Sequence, residues 1–432
     1  MKTTINKSLF KIPSVQQFME TLTEDLLNRR SLLILLPVGV DPDEIWSRIR
    51  AELWRRDYQF HEISLSNHGE ENTPLTTLKN LLGIQWDSSD NLRTVTDFIS
   101  NENLPEVIRV ADIESLSEEG SKDWMMFLSN WGTASQAIAD RGSLPTALCV
   151  IAQARSVLPF IPNSDLCLGI HYWWGFPSAL EVHLLCRLLQ EDDHRGTKLI
   201  WREYLLPTLV GNDFALIDPL WENIYSHIDT ILEILSHFAE VNGWTKQLLQ
   251  IWGAEDFNNR SYYAQEYYKM GPPENGRVLW ANGGLFWTAE HGLEVHPAIL
   301  AVLGQKEDLM RRIWRGQAEF LLSLIDQVRL AVCRYLTQLY GNKWPCKWFS
   351  PESREEVEEA GSNPLSCQLG YIEFLFKNVE ALRAKQNLVS LVSHVRWIRN
   401  ELAHYRPVTF QEYDILWHLI KRSGGIFDYS TF

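Results

Sequence analysis

Leu391-Val-Ser-His-Val-Arg-Trp-Ile-Arg-Asn-Glu-Leu-Ala-His404 decides the reading of the last third of the chain. On a helix, at about 100° per residue, Leu391, Val395, Ile398 and Leu402 fall within about 60° of one another and must face a core. Asn400 and His404 are four apart and stack on the side roughly opposite. Ser393, Arg396 and Trp397 share that side, and Arg399 lies at its border. A polar face this broad on so apolar a helix calls for water, a partner or a ligand.

Helical patterns surround this stretch. A long one runs over about Lys306–Tyr340 and ends near Gly341, with Trp344-Pro345 beyond. Others run over about Gly370–Lys385, Asn387–His404 and Phe410–Ser423. Thr409 is placed to cap the last, with Glu412 three residues on to complete a capping box. Between the first and second, Pro351–Asn363 carries Glu355, Glu356, Glu358 and Glu359 and reads as a solvated acidic insertion.

The spacing Arg399-Asn400-x-x-x-His404, its continuation Ala403-His404-Tyr405-Arg406-Pro407 and the long helices upstream resemble the HEPN domain over about residues 306–425. The resemblance implies a metal-independent endoribonuclease site assembled across a homodimer. Under it, His404 serves as general base or acid at a ribose 2′-hydroxyl, a task for the side chain type that exchanges protons near neutrality. Arg399 holds the scissile phosphate with its guanidinium fork. Asn400 orients His404 or a phosphate oxygen. Arg396, Trp397, Tyr405 and Arg406 are the implied RNA contacts. Attack by the 2′-hydroxyl leaves a 2′,3′-cyclic phosphate and requires RNA rather than DNA. The plainer reading is that an Arg and a His near a helix end satisfy its carbonyls and dipole.

Further toward the amino terminus the pattern alternates. Ser31-Leu-Leu-Ile-Leu-Leu-Pro37 reads as a buried parallel strand. Asp41–Arg56 has helical spacing, with Asp41 a cap before Pro42. Phe60–Leu65, Val107–Ile113, Thr146–Ala152 and Leu166–His171 are further strands, with helices such as Asp123–Trp131 between them. That order predicts an α/β layer with a mostly parallel sheet. Ala179–Leu189, Lys198–Val210 and Trp221–Val241 then read as helices. After Gly271-Pro-Pro-Glu-Asn-Gly276, a helix at Arg277–Ala281 and a hairpin within Gly284–His296 suggest a winged-helix module.

The order of strand, Gly39 turn, helix and a later strand ending in Asp112 and Glu114 resembles the P-loop ATPases of the AAA+ or STAND group. The chain departs from them where phosphate would bind. Pro37-Val-Gly-Val-Asp-Pro-Asp-Glu44 has one Gly, no Lys, and carboxylates in place of a cation. A phosphate cradle needs bare backbone N–H groups and a Lys, and Asp41, Asp43 and Glu44 repel an anion. ATP hydrolysis is not expected, and no cofactor or metal is. G-x-S-x-G, H-E-x-x-H and G-x-G-x-x-G are all missing. His171, His183, His291 and His296 read as ordinary core or surface histidines.

Composition sets the outer limits. The 432 residues, with 45% hydrophobic and 22% charged, exceed one core. The net charge of −15 is uneven. Residues 301–432 hold 17 Lys plus Arg against 15 Asp plus Glu, while the first 300 hold 23 against 40. An acidic amino-terminal part excludes broad coating of nucleic acid but leaves room for a local RNA site in the final third, and for a protein partner on the acidic part. Most of the 18 Trp should pack in cores. Six scattered Cys without a C-x-x-C pair read as reduced, mostly buried thiols. Residues 1–15 carry no apolar signal core and no run approaches a membrane span, so a cytoplasmic protein without membrane contact is expected.

The expected fold is a multidomain α/β plus all-α chain. A degenerate P-loop-like α/β domain occupies 1–175, a helical lid with a winged-helix-like region 176–303, and a HEPN-like helical bundle 304–432. The expected function is a ribonuclease effector of a bacterial toxin or phage-defence system, regulated by an ATPase-like sensor or assembly domain. A non-catalytic scaffold that binds a partner or nucleic acid is the alternative, and a regulatory ATPase with an unrecognised phosphate loop is a third.

Overall fold

The computed structural model describes residues 10–66, 72–83, 94–175, 178–188, 196–211, 213–258, 266–348 and 363–424. The chain packs as two compact units, one from Met1–Glu181 and Asn242–Ile299, the other from Val182–Val241 and Leu300–Phe432. The expected middle region, 176–303, is therefore shared out between them.

The first unit is built on five parallel strands: β1 (Ser31–Leu36), β2 (Phe60–Ser64), β3 (Val107–Ala111), β4 (Ala147–Gln153) and β5 (Leu168–Tyr172). Their order is β2-β3-β4-β1-β5. β1 is apolar at every position after Ser31 and buried throughout, as a strand covered on both faces must be. Leu33 pairs with Val150 on one side and Ile170 on the other. β2 forms an edge and exposes His61, Glu62 and Ser64. The five expected strands all form, each end shifted by two residues or fewer. Helices α1 (Pro13–Leu27), α2 (Pro42–Arg55) and α3 (Glu118–Ala139) belong to the same unit. The α3 helix is far longer than the expected Asp123–Trp131, because Ser117 caps it through the Gly120 N–H and its buried stripe runs on to Ile138.

The expected helix at Arg277–Ala281 and the hairpin after it are both present, the latter as β6 (Leu285–Thr288) antiparallel to β7 (Gly292–Val295). Gly271 has φ +82°, and a Cβ there would lie 2.4 Å from the Tyr172 ring. Glycine is thus required twice over at that position.

The second unit is helical. Its described helices include α4 (Thr197–Val210), α5 (Ile228–Val241), α6 (Lys306–Tyr340), α7 (Leu369–Asn378), α8 (Gln386–Ala403) and α9 (Phe410–Arg422). The 35-residue α6 is about 52 Å long at 1.5 Å per residue. It packs on α4 and α8. Gly316 sits against α4: a Cβ added there would stand 2.5 Å from the Tyr204 carbonyl oxygen. Trp201 and Tyr204 of α4 meet Phe320 of α6 and Tyr413 of α9 in one aromatic core.

Two expected helices are broken, and one cap differs. Trp221–Val241 is two pieces, Ile217–Trp221 and Ile228–Val241, because side chains take carbonyls between them: Arg202 Nε donates to Trp221 and Trp201 Nε1 to Ile224. Gly370–Lys385 breaks at Val379, whose backbone is extended, and resumes as Glu380–Arg383. Thr409 caps α9 as expected, but Glu412 does not return the bond; its carboxylate lies 3.8 Å from His394. The acidic segment with Glu355, Glu356, Glu358 and Glu359 lies outside the described residues. None of the described helices is long and apolar enough to cross a membrane.

Candidate functional site

Helix α8 has the two-sided character read from its sequence. Leu391, Val395, Ile398 and Leu402 are at most 1% exposed, and Leu388 and Val392 join them inside. The opposite side carries the motif. Arg399 and His404 are exposed and Asn400 is half-buried. The Arg399 guanidinium reaches Asn400 Oδ1 at 3.4 Å, a long contact that leaves most of its donors open. Among the described residues the His404 imidazole has no hydrogen-bond or ion-pair partner.

The backbone around His404 is tightly held. His404 is the C-cap, its N–H directed at the carbonyls of Asn400 and Glu401 at 3.1 Å. Tyr405 N–H bonds Leu402 O at 3.2 Å, and Arg406 N–H bonds Glu401 O at 2.9 Å. This is a Schellman closure, with Tyr405 in the left-handed region at φ 59° where glycine is usual. A non-glycine residue there costs roughly 1 kcal/mol. Trp314 of α6 offsets the cost: its Nε1 donates to Leu402 O at 2.7 Å and its ring packs 4.8 Å from that of Tyr405. Gln317, fully buried, grips the following turn by both ends of its amide, Nε2 donating to Val408 O at 2.7 Å and Oε1 accepting from Val408 N at 2.8 Å. The motif therefore ends on a fixed main chain, with the side chains outside.

The four implied RNA contacts fare differently. Trp397 is 41% exposed, and the His394 ring stacks on it at 5.8 Å while its Nε2 donates to the Glu412 carbonyl at 2.9 Å. Tyr405 is 66% exposed. Arg396 is tied to Glu373 on α7, which also takes Lys377 at 2.7 Å. Arg406 is paired with Glu401 at 2.8 Å. Burial works against the Glu373 carboxylate, yet hydrogen bonds from Lys377, Arg396 and Ser393 outweigh it and hold its carboxyl below the usual range. Sequence reading missed Trp314, Gln317, Glu373 and His394, which fix this site. Gln317 alone left a signal, a polar residue in the apolar phase of α6.

The loop after β1 is filled from within. Val38 N–H bonds Ala281 O at 2.9 Å, and Val40 O accepts from Gln153 Nε2 at 2.7 Å. Asp41 caps α2 through the Asp43 N–H at 2.9 Å, as expected. Asp43 and Glu62 both pair with Arg109 of β3, which is 3% exposed. The helix N-terminus, where a phosphate would sit, thus already holds the chain's own carboxylates. Asp112 takes the Ser64 hydroxyl, and Glu114 Oε1 accepts from Gln153 N at 2.6 Å. No group of His, Cys, Asp and Glu fit to hold a metal occurs among the described residues.

Two histidines of the first unit are held in its packing. His171 bonds Asp25 at 2.9 Å and His296 is 1% exposed beside Trp244. Burial pushes the Asp25 carboxyl up, but the His171 bond and the Arg30 charge outweigh it and lower it. Five of the six cysteines are buried and Cys346 is exposed. Burial pushes the thiols of Cys149 and Cys186 up to about 12 and that of Cys333 to about 11.

No family model matches the chain, and no curated protein does. Among solved structures, a chain of the Drosophila ORC bound to poly(dA/dT) DNA and Cdc6 is 12% identical, over 97% of this chain and 71% of that one, with a TM-score of 0.28. A chain of the Drosophila ORC bound to GC-rich DNA and Cdc6 is likewise 12% identical, over 98% and 73%, with a TM-score of 0.26. Likeness at this level carries no argument about fold or function.

Proposed function

We propose that the helical unit is a metal-independent endoribonuclease whose site is Arg399, Asn400 and His404. One observation carries this reading: the three side chains stand on the solvent side of a helix buried on its other side, and among the described residues no internal partner occupies the imidazole. In the reaction His404 takes the proton of a ribose 2′-hydroxyl, and the oxygen attacks the adjacent phosphorus. The bond to the 5′-oxygen breaks, and that oxygen needs a proton. A second His404, from the other copy in a homodimer, supplies it. Arg399 binds the phosphate as charge builds on its oxygens. The products are a 2′,3′-cyclic phosphate and a 5′-hydroxyl.

On the same reading the first unit is a P-loop-like scaffold or sensor that does not hydrolyse ATP. The filled loop after β1 supports that role, and Arg277–Ala281 with its hairpin is its winged-helix-like part. The whole would serve as a cytoplasmic effector in a bacterial toxin or phage-defence system.

The test is RNA cleavage with a chelator present. His404→Ala should lose at least about 10²-fold in rate, the lower bound of acid–base catalysis, with an unchanged melting temperature because the side chain is exposed. Wild-type protein that leaves RNA intact, or a variant that cuts as fast, sinks the proposal and favours a non-catalytic RNA- or partner-binding scaffold.

A further inference from the structure

Two stretches of the helical unit hold cations without a single carboxylate. Residues 327–350 contain Arg329, Arg334, Lys343 and Lys347, and residues 381–400 contain Arg383, Lys385, Arg396 and Arg399. In a chain of net charge −15 that is a local reversal, reduced in the fold by the pairing of Arg329 with Asp326 and of Arg396 with Glu373. The structure joins the two stretches at one place. Lys385, just before α8, donates to the Tyr335 hydroxyl at 2.9 Å and lies 5.4 Å from that ring's centroid. Tyr340 is also close enough to act on its charge. Lys347 lies over both the Tyr340 ring (5.6 Å) and the Trp348 ring (5.5 Å), and those two rings meet edge to face at 4.9 Å. Arg334, Lys343, Lys347 and Arg383 are exposed, and the three rings are half-buried.

We propose that this cluster of Tyr335, Tyr340 and Trp348 with its surrounding lysines and arginines is a second contact for single-stranded RNA, distant from the cleavage motif. The inference rests on the ribonuclease reading for its choice of ligand and deepens it by naming the substrate as an oligoribonucleotide. The physical reason is the pairing of chemistries: ammonium and guanidinium groups neutralise phosphates, while aromatic rings accept any base. A surface for acidic protein would need the cations but not the rings between them.

The cluster stands at the opposite end of the α6–α8 pair from His404. Trp314 meets Leu402 at one end of the pair and Tyr335 meets Lys385 at the other, so the two helices run antiparallel along its whole length. Fourteen residues separate Lys385 from Arg399 on α8, about 21 Å at 1.5 Å per residue. A stacked strand at about 3.4 Å per nucleotide needs about six nucleotides to cover that span. Short oligomers reach one site, and longer ones reach both.

Fluorescence anisotropy with 2′-O-methyl oligoribonucleotides of three and twelve nucleotides tests this, because such strands bind but lack the nucleophile for cleavage. The wild-type protein should bind the 12-mer at least about tenfold more tightly than the 3-mer. The variant Arg334→Glu, Lys343→Glu, Lys347→Glu, Arg383→Glu should bind the two alike, with a salt slope for the 12-mer reduced by about 3, from four lost phosphate contacts. If the fourfold reversal fails to fold, the same positions changed to Gln give the readout. Equal affinity for both lengths in wild type, or an unchanged 12-mer affinity in the variant, overturns the second contact. So does equal binding of polyglutamate that the variant also loses, which assigns the surface to an acidic polypeptide. A 12-mer held by the cluster without cleavage of natural RNA refutes the nuclease and leaves this contact standing. Cleavage without length dependence does the reverse.

Discussion

Gly316 lies in the middle of α6, where replacing glycine by alanine ordinarily stabilises a helix by about 1 kcal/mol. The structure predicts the opposite sign here. The added Cβ would stand 2.5 Å from the Tyr204 carbonyl oxygen, 3.0 Å from Thr208 Cγ2 and 3.2 Å from Leu205 Cδ2. The two side-chain atoms can turn aside, whereas the oxygen belongs to the backbone of α4 and can move only with that helix. Separating the helices disturbs the contacts of Tyr204 and of Trp201 with Phe320. Forcing extra volume into a packed contact costs about 1–3 kcal/mol, enough to outweigh the gain in helix propensity. Because the atom in the way is backbone, the cost falls in the upper part of that range, about 2–3 kcal/mol, so Gly316→Ala should lose about 1–2 kcal/mol net, with the urea midpoint of the helical unit falling and its slope unchanged. Thr208→Ser in the same background, which removes one of the yielding contacts, should not restore it. A neutral or raised midpoint for Gly316→Ala would refute the close approach of α4 to α6.

Glu373→Gln should cost about 1–2 kcal/mol at pH 7, near the low end for charged hydrogen bonds because Arg396 and Lys377 extend into solvent. The carboxyl of Glu373 is lowered by folding, so its contribution is present above the ordinary carboxylate value of about 4.3 and is lost as pH falls through the folded value. Melts across pH 3–7 should accordingly show wild type and variant converging in acid, and a gap that persists there would count against the ion pairs. Iodoacetamide at pH 8 should label Cys346 alone in the native protein and all six thiols in urea, read by mass spectrometry; rapid labelling of Cys149, Cys186 or Cys333 contradicts their burial. ATP with magnesium should leave the melting temperature unchanged, since the loop after β1 is already occupied, and a ligand-dependent rise would show that loop to be open.

Much of the architecture was legible because local patterns carry it. The unbroken apolar run Ser31–Leu36 identified a strand buried on both faces, and the long stripe along α6 set its limits at Lys306 and Tyr340. The order β2-β3-β4-β1-β5 was not legible, since pairing partners far apart in sequence leave no periodic trace. The break after Trp221 was hidden for a related reason: the Trp201 and Arg202 side chains that claim its carbonyls come from another helix. At the candidate site the apolar register of α8 located the outward face. What the register could not convey was that Arg396 and Arg406 already have carboxylate partners, because Glu373 lies on a different helix and Glu401 points along the same one.

The chain passes between its two units at residues 181–182, 241–242 and 299–300. A fragment that starts near residue 300 keeps Arg399, Asn400 and His404 but discards α4, and with it Trp201, Tyr204 and Leu205 from beside α6. Such a fragment would bare an aromatic flank and tend to aggregate, so the site cannot be studied by simple truncation. Inactivity of that piece would report a damaged platform rather than a missing chemistry, and a circular reordering that retains residues 182–241 is the minimum faithful excision.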